Sequence, residues 1–284
     1  MTDIAIIGAG PAGVAAALTA RARGKSVYLV SNDPLHSGLA KAERIDNYPG
    51  MVGKTGTQVV QGMLDELDSL GIELHEGRVI SVLPFGDEFM LGIGQDMVQA
   101  NAVILALGAA KGTAFPGEQE LLGRGVSYCA TCDGMLYRDR TVCVVGSTEE
   151  AEKEAAFLAE IGCKVTYVSR REPSGNLAEG IAFRKMTKVE IVGEDSVRGL
   201  VIDGEEMPCD AVFVLRPAIA PSSLIPGIET EGAFISVDGD MRTSIPGVFA
   251  AGDCVGKPLQ VAKAVGQGQL AAFAAVEYLD GKQP

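Results

Sequence analysis

The chain has no tryptophan, only two histidines (His36 and His75), and fewer basic than acidic residues, 24 against 37. Each shortage excludes something. Two histidines far apart in sequence, with no second close cysteine pair, do not make a zinc site. A net charge of −13 argues against nucleic acid as the main partner, because phosphate recognition needs clustered Lys and Arg. No apolar run approaches the ~20 residues needed to span a bilayer. Met1-Thr2-Asp3 leads straight into a strand, so no signal peptide is expected, and the expectation is a soluble, cytoplasmic protein.

The chain is rich in glycine, with 36 among 284 residues, and 47% of it is hydrophobic. That composition suits an α/β protein with tight strand-to-helix turns, and the length predicts one large or two smaller domains. Ile4 to Ile7 reads as a strand, Val14 to Arg23 as a helix and Ser26 to Val30 as a second strand. Between the first two stands Gly8-Ala9-Gly10-Pro11-Ala12-Gly13, the turn of a dinucleotide site. Gly8 permits the tight turn, Gly10 lets a pyrophosphate reach the backbone, and Gly13 lets helix and strand pack closely. The helix N-terminus supplies unpaired N–H groups and partial positive charge.

Further on, Thr57 to Leu70 reads as an amphipathic helix, followed by strands at Ile72 to His75, Arg78 to Leu83, Glu88 to Ile93 and Asn101 to Ala106. The last runs into Leu107-Gly108, where backbone can meet a cofactor. Lys111 to Gly117 and Pro217 to Pro226 have linker composition. Between them Thr141 to Val145, Glu149 to Ile161 and Lys164 to Val168 repeat the βαβ rhythm of the start. Strands around Val189, Val197 to Ile202 and Ala211 to Leu215 follow, and Gln260 to Leu279 reads as a final helix. The expectation is a two-domain α/β protein. Residues 1–112 with 241–284 form a nucleotide-binding domain from both chain ends, and residues 113–240 form an inserted one.

Of six cysteines, Cys143, Cys163, Cys209 and Cys254 read as small buried hydrophobes. Cys129-Ala130-Thr131-Cys132-Asp133-Gly134 is different: two thiols at this spacing close a small disulfide ring, and an acid follows the second sulfur. In a cytosolic chain such a pair points to redox work. Asp133 is placed to move protons or else to cap a helix, and a helix beginning at Asp133-Gly134 would lower a thiol pKa.

Taken with Ile45-Asp46-Asn47-Tyr48-Pro49-Gly50, Gly247 to Asp253, and Gln260-Val261 with Ala264, Gly266 and Gly268, these motifs resemble the low-molecular-weight thioredoxin reductases over nearly the whole chain. The resemblance implies FAD in the domain of the chain ends and a homodimer. FAD would be held by Gly8, Gly10, Pro11, Ala12, Gly13, Ser31, Asn47, Gly108, Gly252, Asp253, Gln260 and Val261. It also implies that Cys132 faces the flavin while Cys129 forms the mixed disulfide with the protein substrate. Asp133 would be the proton carrier, and the two linkers would be the hinges of a moving inserted domain.

The departures from that family concern the second nucleotide. Its NADPH fingerprint is here Gly146-Ser147-Thr148-Glu149-Glu150-Ala151, with side chains where pyrophosphate must approach and an acid at the helix start. Ser169-Arg170-Arg171 replaces the basic cluster that begins with histidine, Pro173-Ser174-Gly175 interrupts the next helix, and Arg216-Pro217 stands where a glycine meets nicotinamide. In the first site Ser31 replaces an acid, for which Asp33 is a substitute, and Leu259 replaces the arginine paired with Gln260. The pattern resembles the branch of ferredoxin-dependent flavin thioredoxin reductases. It predicts an FAD-dependent disulfide reductase that draws electrons from ferredoxin rather than NADPH and passes them to thioredoxin or a similar protein. Lys41, Arg44, Arg124, Arg138 and Lys257 are candidates for a docking face. The alternatives are an NADPH-dependent reductase with a divergent site, an oxygen-using dithiol oxidase, and a non-catalytic flavin-binding redox sensor.

Overall fold

The computed structural model describes every residue except Asp33, 109–113, Asn176, 216–219 and 282–284. Asp33, Arg216-Pro217 and parts of both linkers therefore lie outside the described residues. The chain folds as two compact units, Met1–Ala110 with Ala220–Pro284, and Lys111–Ile219.

The first unit opens with β1 (Thr2–Ile7), α1 (Pro11–Ala22) and β2 (Val27–Ser31). Then come α2 (Gly56–Ser69), β3 (Leu74–Glu76), β4 (Val79–Phe85), β5 (Glu88–Ile93) and β6 (Asp96–Leu105). The Thr55 hydroxyl and Gln58 side chain start α2 as a reciprocal capping box. Sheet order is β3-β2-β1-β6-β5-β4, with β1 parallel to both β2 and β6. The central strands are apolar along their length because both faces are covered: Ile4, Ala5, Ile6 and Ala102 to Leu105 have no exposed surface.

The second unit contains β7 (Val126–Ser127), α3 (Ala130–Asp133), β8 (Thr141–Gly146), α4 (Glu149–Glu160), β9 (Lys164–Ser169) and β10 (Ala182–Lys185). It continues with β11 (Val189–Gly193), β12 (Val197–Ile202), β13 (Glu205–Pro208) and β14 (Ala211–Leu215). Strands β10-β9-β8-β14-β7 form a parallel sheet, and β11-β12-β13 an antiparallel one. Ala151, Ala155 and Leu158 of α4 pack on Val142, Val144 and Phe213 to make this unit's core.

The chain then returns through α5 (Pro221–Leu224), β15 (Thr230–Glu231), β16 (Phe234–Ile235), β17 (Val248–Ala250) and α6 (Val261–Asp280). Strand β17 adds to β6, and the alanines of α6 pack closely on those of α1. Residues 220–240, placed by their sequence in the inserted segment, cluster with the chain ends instead. Helix α5 packs on β4, and β16 packs beside the turn at Gly252–Val255. Such contacts have no local sequence signal. Among the described residues no helix is long and apolar enough to cross a membrane.

Candidate functional site

Parallel strands align their C-terminal ends, and the first unit uses this to gather glycines from distant segments. Gly8 follows β1, Ser31 ends β2, Gly108 lies beyond β6 and Gly252 beyond β17. The chain leaves β1 toward β2 on one side while β6 lies on the other. The crevice between them is a topological switch point, where open α/β sheets bind ligands. Gly8 has φ of 108°, and a Cβ there would lie 2.2 Å from the Ala106 carbonyl oxygen. A Cβ on Gly13 would lie 1.7 Å from the Gly8 carbonyl oxygen. At Gly10 nothing stands within 4 Å of a Cβ, so the turn is open on that side.

Gly10 is the N-cap of α1, with Pro11 at its first position; no side chain caps this terminus and its first turn holds no acid. A helix start left this way suits a pyrophosphate. Elsewhere in the unit, Asn47 Nδ2 donates to Gln260 Oε1 at 2.5 Å, joining two predicted cofactor residues across 213 positions. Val261 begins α6 directly after Gln260. Gly252 N–H donates to Gln267 Oε1 at 3.1 Å and Lys263 Nζ donates to the Gly252 carbonyl at 3.0 Å. Burial raises the Asp253 carboxyl above its ordinary range, with the Lys263 ammonium opposing. Sequence reasoning missed Lys263 and Gln267, whose roles depend on the packing of α6.

In the second unit Cys129 and Cys132 form a disulfide with Cα atoms 5.3 Å apart. Cys129 is buried and Cys132 half-buried. Two short helical turns follow one another here. The first begins at Ala130, with Cys129 as N-cap, and ends at Asp133. The second is a 3-10 turn, Gly134–Tyr137, which starts where the sequence predicts with Asp133 at its N-cap position. In the first the Cys132 N–H points back to Cys129 Sγ at 3.2 Å, so sulfur is the capping acceptor; in the second the Asp133 side chain makes no cap hydrogen bond. Asp133 instead receives the Ser127 hydroxyl at 2.7 Å. Burial and the nearby Asp133 raise the Tyr137 phenol. Glu154 of α4 accepts the Ala130 N–H at 3.0 Å, tying the motif to the neighbouring helix.

The turn between β8 and α4 has the topology of the turn after β1 and the opposite chemistry. The Thr148 hydroxyl caps α4 by accepting the Ala151 N–H at 3.2 Å, and Glu149, Glu150 and Glu152 crowd its first turn. Ser147, Glu149, Glu152, Ser169, Arg171, Glu172 and Ser174 line a cleft of about 250 Å³. Across it the Glu152 carboxylate accepts the Ser174 N–H and hydroxyl, both at 2.9 Å. Arg170 and Arg171 are exposed, and no helix forms among the described residues of 170–181. Of the proposed docking cations, Arg44 is paired with Asp46 and Arg124 with the Glu120 carbonyl, so both are engaged locally. Among the described residues no group of His, Cys, Asp and Glu forms a metal site.

With this geometry established, residues 2–268 match the family model described as pyridine nucleotide-disulphide oxidoreductase. The chain belongs to that family. It is 35% identical to a thioredoxin reductase of Treponema pallidum, covering 99% of this chain and 98% of that one. It is 34% identical to one from Listeria innocua, covering 98% and 94%. A crystal structure of a ferredoxin-flavin thioredoxin reductase from Clostridium acetobutylicum is 43% identical, with a TM-score of 0.91 and coverage of 99% and 98%. The protein is thus a flavin-dependent disulfide oxidoreductase with the two-domain thioredoxin reductase fold, and the family's cofactor is FAD. The open turn at Gly8 to Gly13 and the uncapped start of α1 fit that cofactor.

Proposed function

We propose that this enzyme takes electrons from reduced ferredoxin, not NADPH, and passes them through Cys129–Cys132 to thioredoxin or a similar protein. The carrying observation is the start of α4, capped by Thr148 and surrounded by Glu149, Glu150 and Glu152. An anion approaching there meets a satisfied N–H and three carboxylates, whereas α1 offers neither obstacle. The likeness to a ferredoxin-flavin thioredoxin reductase supports the same donor.

FAD would be held at the β1–α1 turn by Gly8, Gly10, Pro11, Ala12 and Gly13, and would supply the ability to accept electrons singly and release them as a pair. Asn47, Gly108, Asp253, Gln260 and Val261 would complete its site, with Ser31 on the ribose side. Cys132 would be the sulfur that faces it. Cys129 then attacks the protein disulfide, and Asp133 carries a proton. Steady-state turnover tests this. Thioredoxin thiols should appear with reduced ferredoxin as donor and stay at background with NADPH; the reverse pattern overturns the proposal.

A further inference from the structure

Ser127 is buried, 5% exposed, and lies on β7, opposite Phe213 of β14 in the parallel sheet. Its hydroxyl has one proton and meets three groups. The Cys129 N–H donates to it at 3.1 Å, so its own proton goes either to the Cys129 carbonyl at 3.2 Å or to Asp133 Oδ2 at 2.7 Å. The carboxylate oxygen is the nearer of the two, and it accepts the hydroxyl's hydrogen bond. One buried hydroxyl therefore fixes both the backbone of the first redox cysteine and the acid that follows the second. The reference point is a sheet strand, not the short helix that carries the sulfurs.

We propose that Ser127 is a positioning residue for dithiol–disulfide exchange, holding the Asp133 carboxylate where it can pass protons between sulfurs. This rests on the reading of Asp133 as proton carrier. In the exchange, Cys129 sulfur bonds to one acceptor sulfur, and the other acceptor sulfur leaves with the electron pair and takes one proton. Cys132 sulfur then bonds to Cys129 sulfur, and the acceptor sulfur that Cys129 had held leaves with the electron pair of that bond and takes the other proton. The two protons lost by the dithiol equal the two gained by the acceptor.

The test uses FAD-loaded enzyme pre-reduced with dithionite, mixed in a single turnover with oxidised thioredoxin. Asp133→Asn alone tests the carrier reading and should slow transfer by on the order of a hundredfold. Ser127→Ala should slow the limiting rate by on the order of tenfold with half-saturation unchanged, and Ser127→Thr, which keeps the hydroxyl, should restore it. Adding Ser127→Ala to Asp133→Asn should cost nothing more. A wild-type rate for Asp133→Asn sinks the carrier reading. A slow Asp133→Asn with a wild-type rate for Ser127→Ala, or an undiminished further loss in the double variant, sinks the positioning role alone.

Discussion

The Glu152 carboxylate holds Ser174 by two hydrogen bonds, both 2.9 Å long, across the cleft where a second nucleotide would lie. Side chain and loop of the same chain therefore fill hydrogen-bonding positions at this helix start. Removing the carboxylate in Glu152→Ala should release the segment around Ser174. Hydrogen exchange of the Ser174 amide should accelerate, while exchange in α1 stays as in the parent protein. Unchanged protection at Ser174 would show that other contacts hold it.

The Thr148 cap has its own energetic signature. Thr148→Ala leaves the Ala151 N–H without its acceptor and should destabilise the second unit by about 1 kcal/mol. Urea unfolding followed by circular dichroism measures this. A change below a few tenths would mean that water replaces the cap at no cost.

The roles of the two cysteines separate under single substitution. Cys132→Ser keeps the attacking Cys129 but removes the sulfur that resolves the mixed disulfide. It should accumulate a covalent adduct with thioredoxin, visible on a non-reducing gel. Cys129→Ser should not. An adduct formed only by Cys129→Ser would exchange the two assignments.

Cys209 is buried, and three other thiols are held in their protonated form, Cys143 first by its hydrogen bond with Cys209 and then by burial, Cys163 and Cys254 by burial. Cys143, beside Cys209, and Cys163 are both raised above the ordinary thiol range, and Cys254 is pushed up to about 11. Since the thiolate is the nucleophile, iodoacetamide at neutral pH should label only Cys129 and Cys132 of the reduced native enzyme. The same shift sets an alkaline limit. A raised native pKa contributes its full stability below the unfolded value and loses it as pH climbs to the native value. Between ordinary thiol pH and about 11 the unfolded chain therefore sheds a proton that native Cys254 keeps. The urea midpoint should fall at about pH 10.5, and fall less in Cys254→Ala; equal falls in both would remove Cys254 as the cause.

Much of the fold was legible in the sequence because its parallel strands and glycine turns are local patterns. The first βαβ unit, the repeated one, the disulfide pair and the final helix stand where their residues predict them. The turn starting at Gly134 stands where expected, but the earlier one at Ala130 was missed, since a sulfur at the N-cap position carries none of the usual oxygen signal. Ser127 and Glu154 were invisible because their importance comes from β7 and α4 packing beside α3, which sequence spacing does not report. The altered turn at Gly146 to Ala151 was readable as a loss of glycines. That Thr148 satisfies an amide at the start of α4, and that Glu152 holds Ser174 across the cleft, emerged only from the side-chain geometry.

The most direct test is an anaerobic titration of the FAD-loaded enzyme with NADPH while the flavin absorbance is followed, then with reduced ferredoxin. The account predicts an unbleached flavin at millimolar NADPH and complete bleaching by ferredoxin. Stoichiometric bleaching by micromolar NADPH would contradict it.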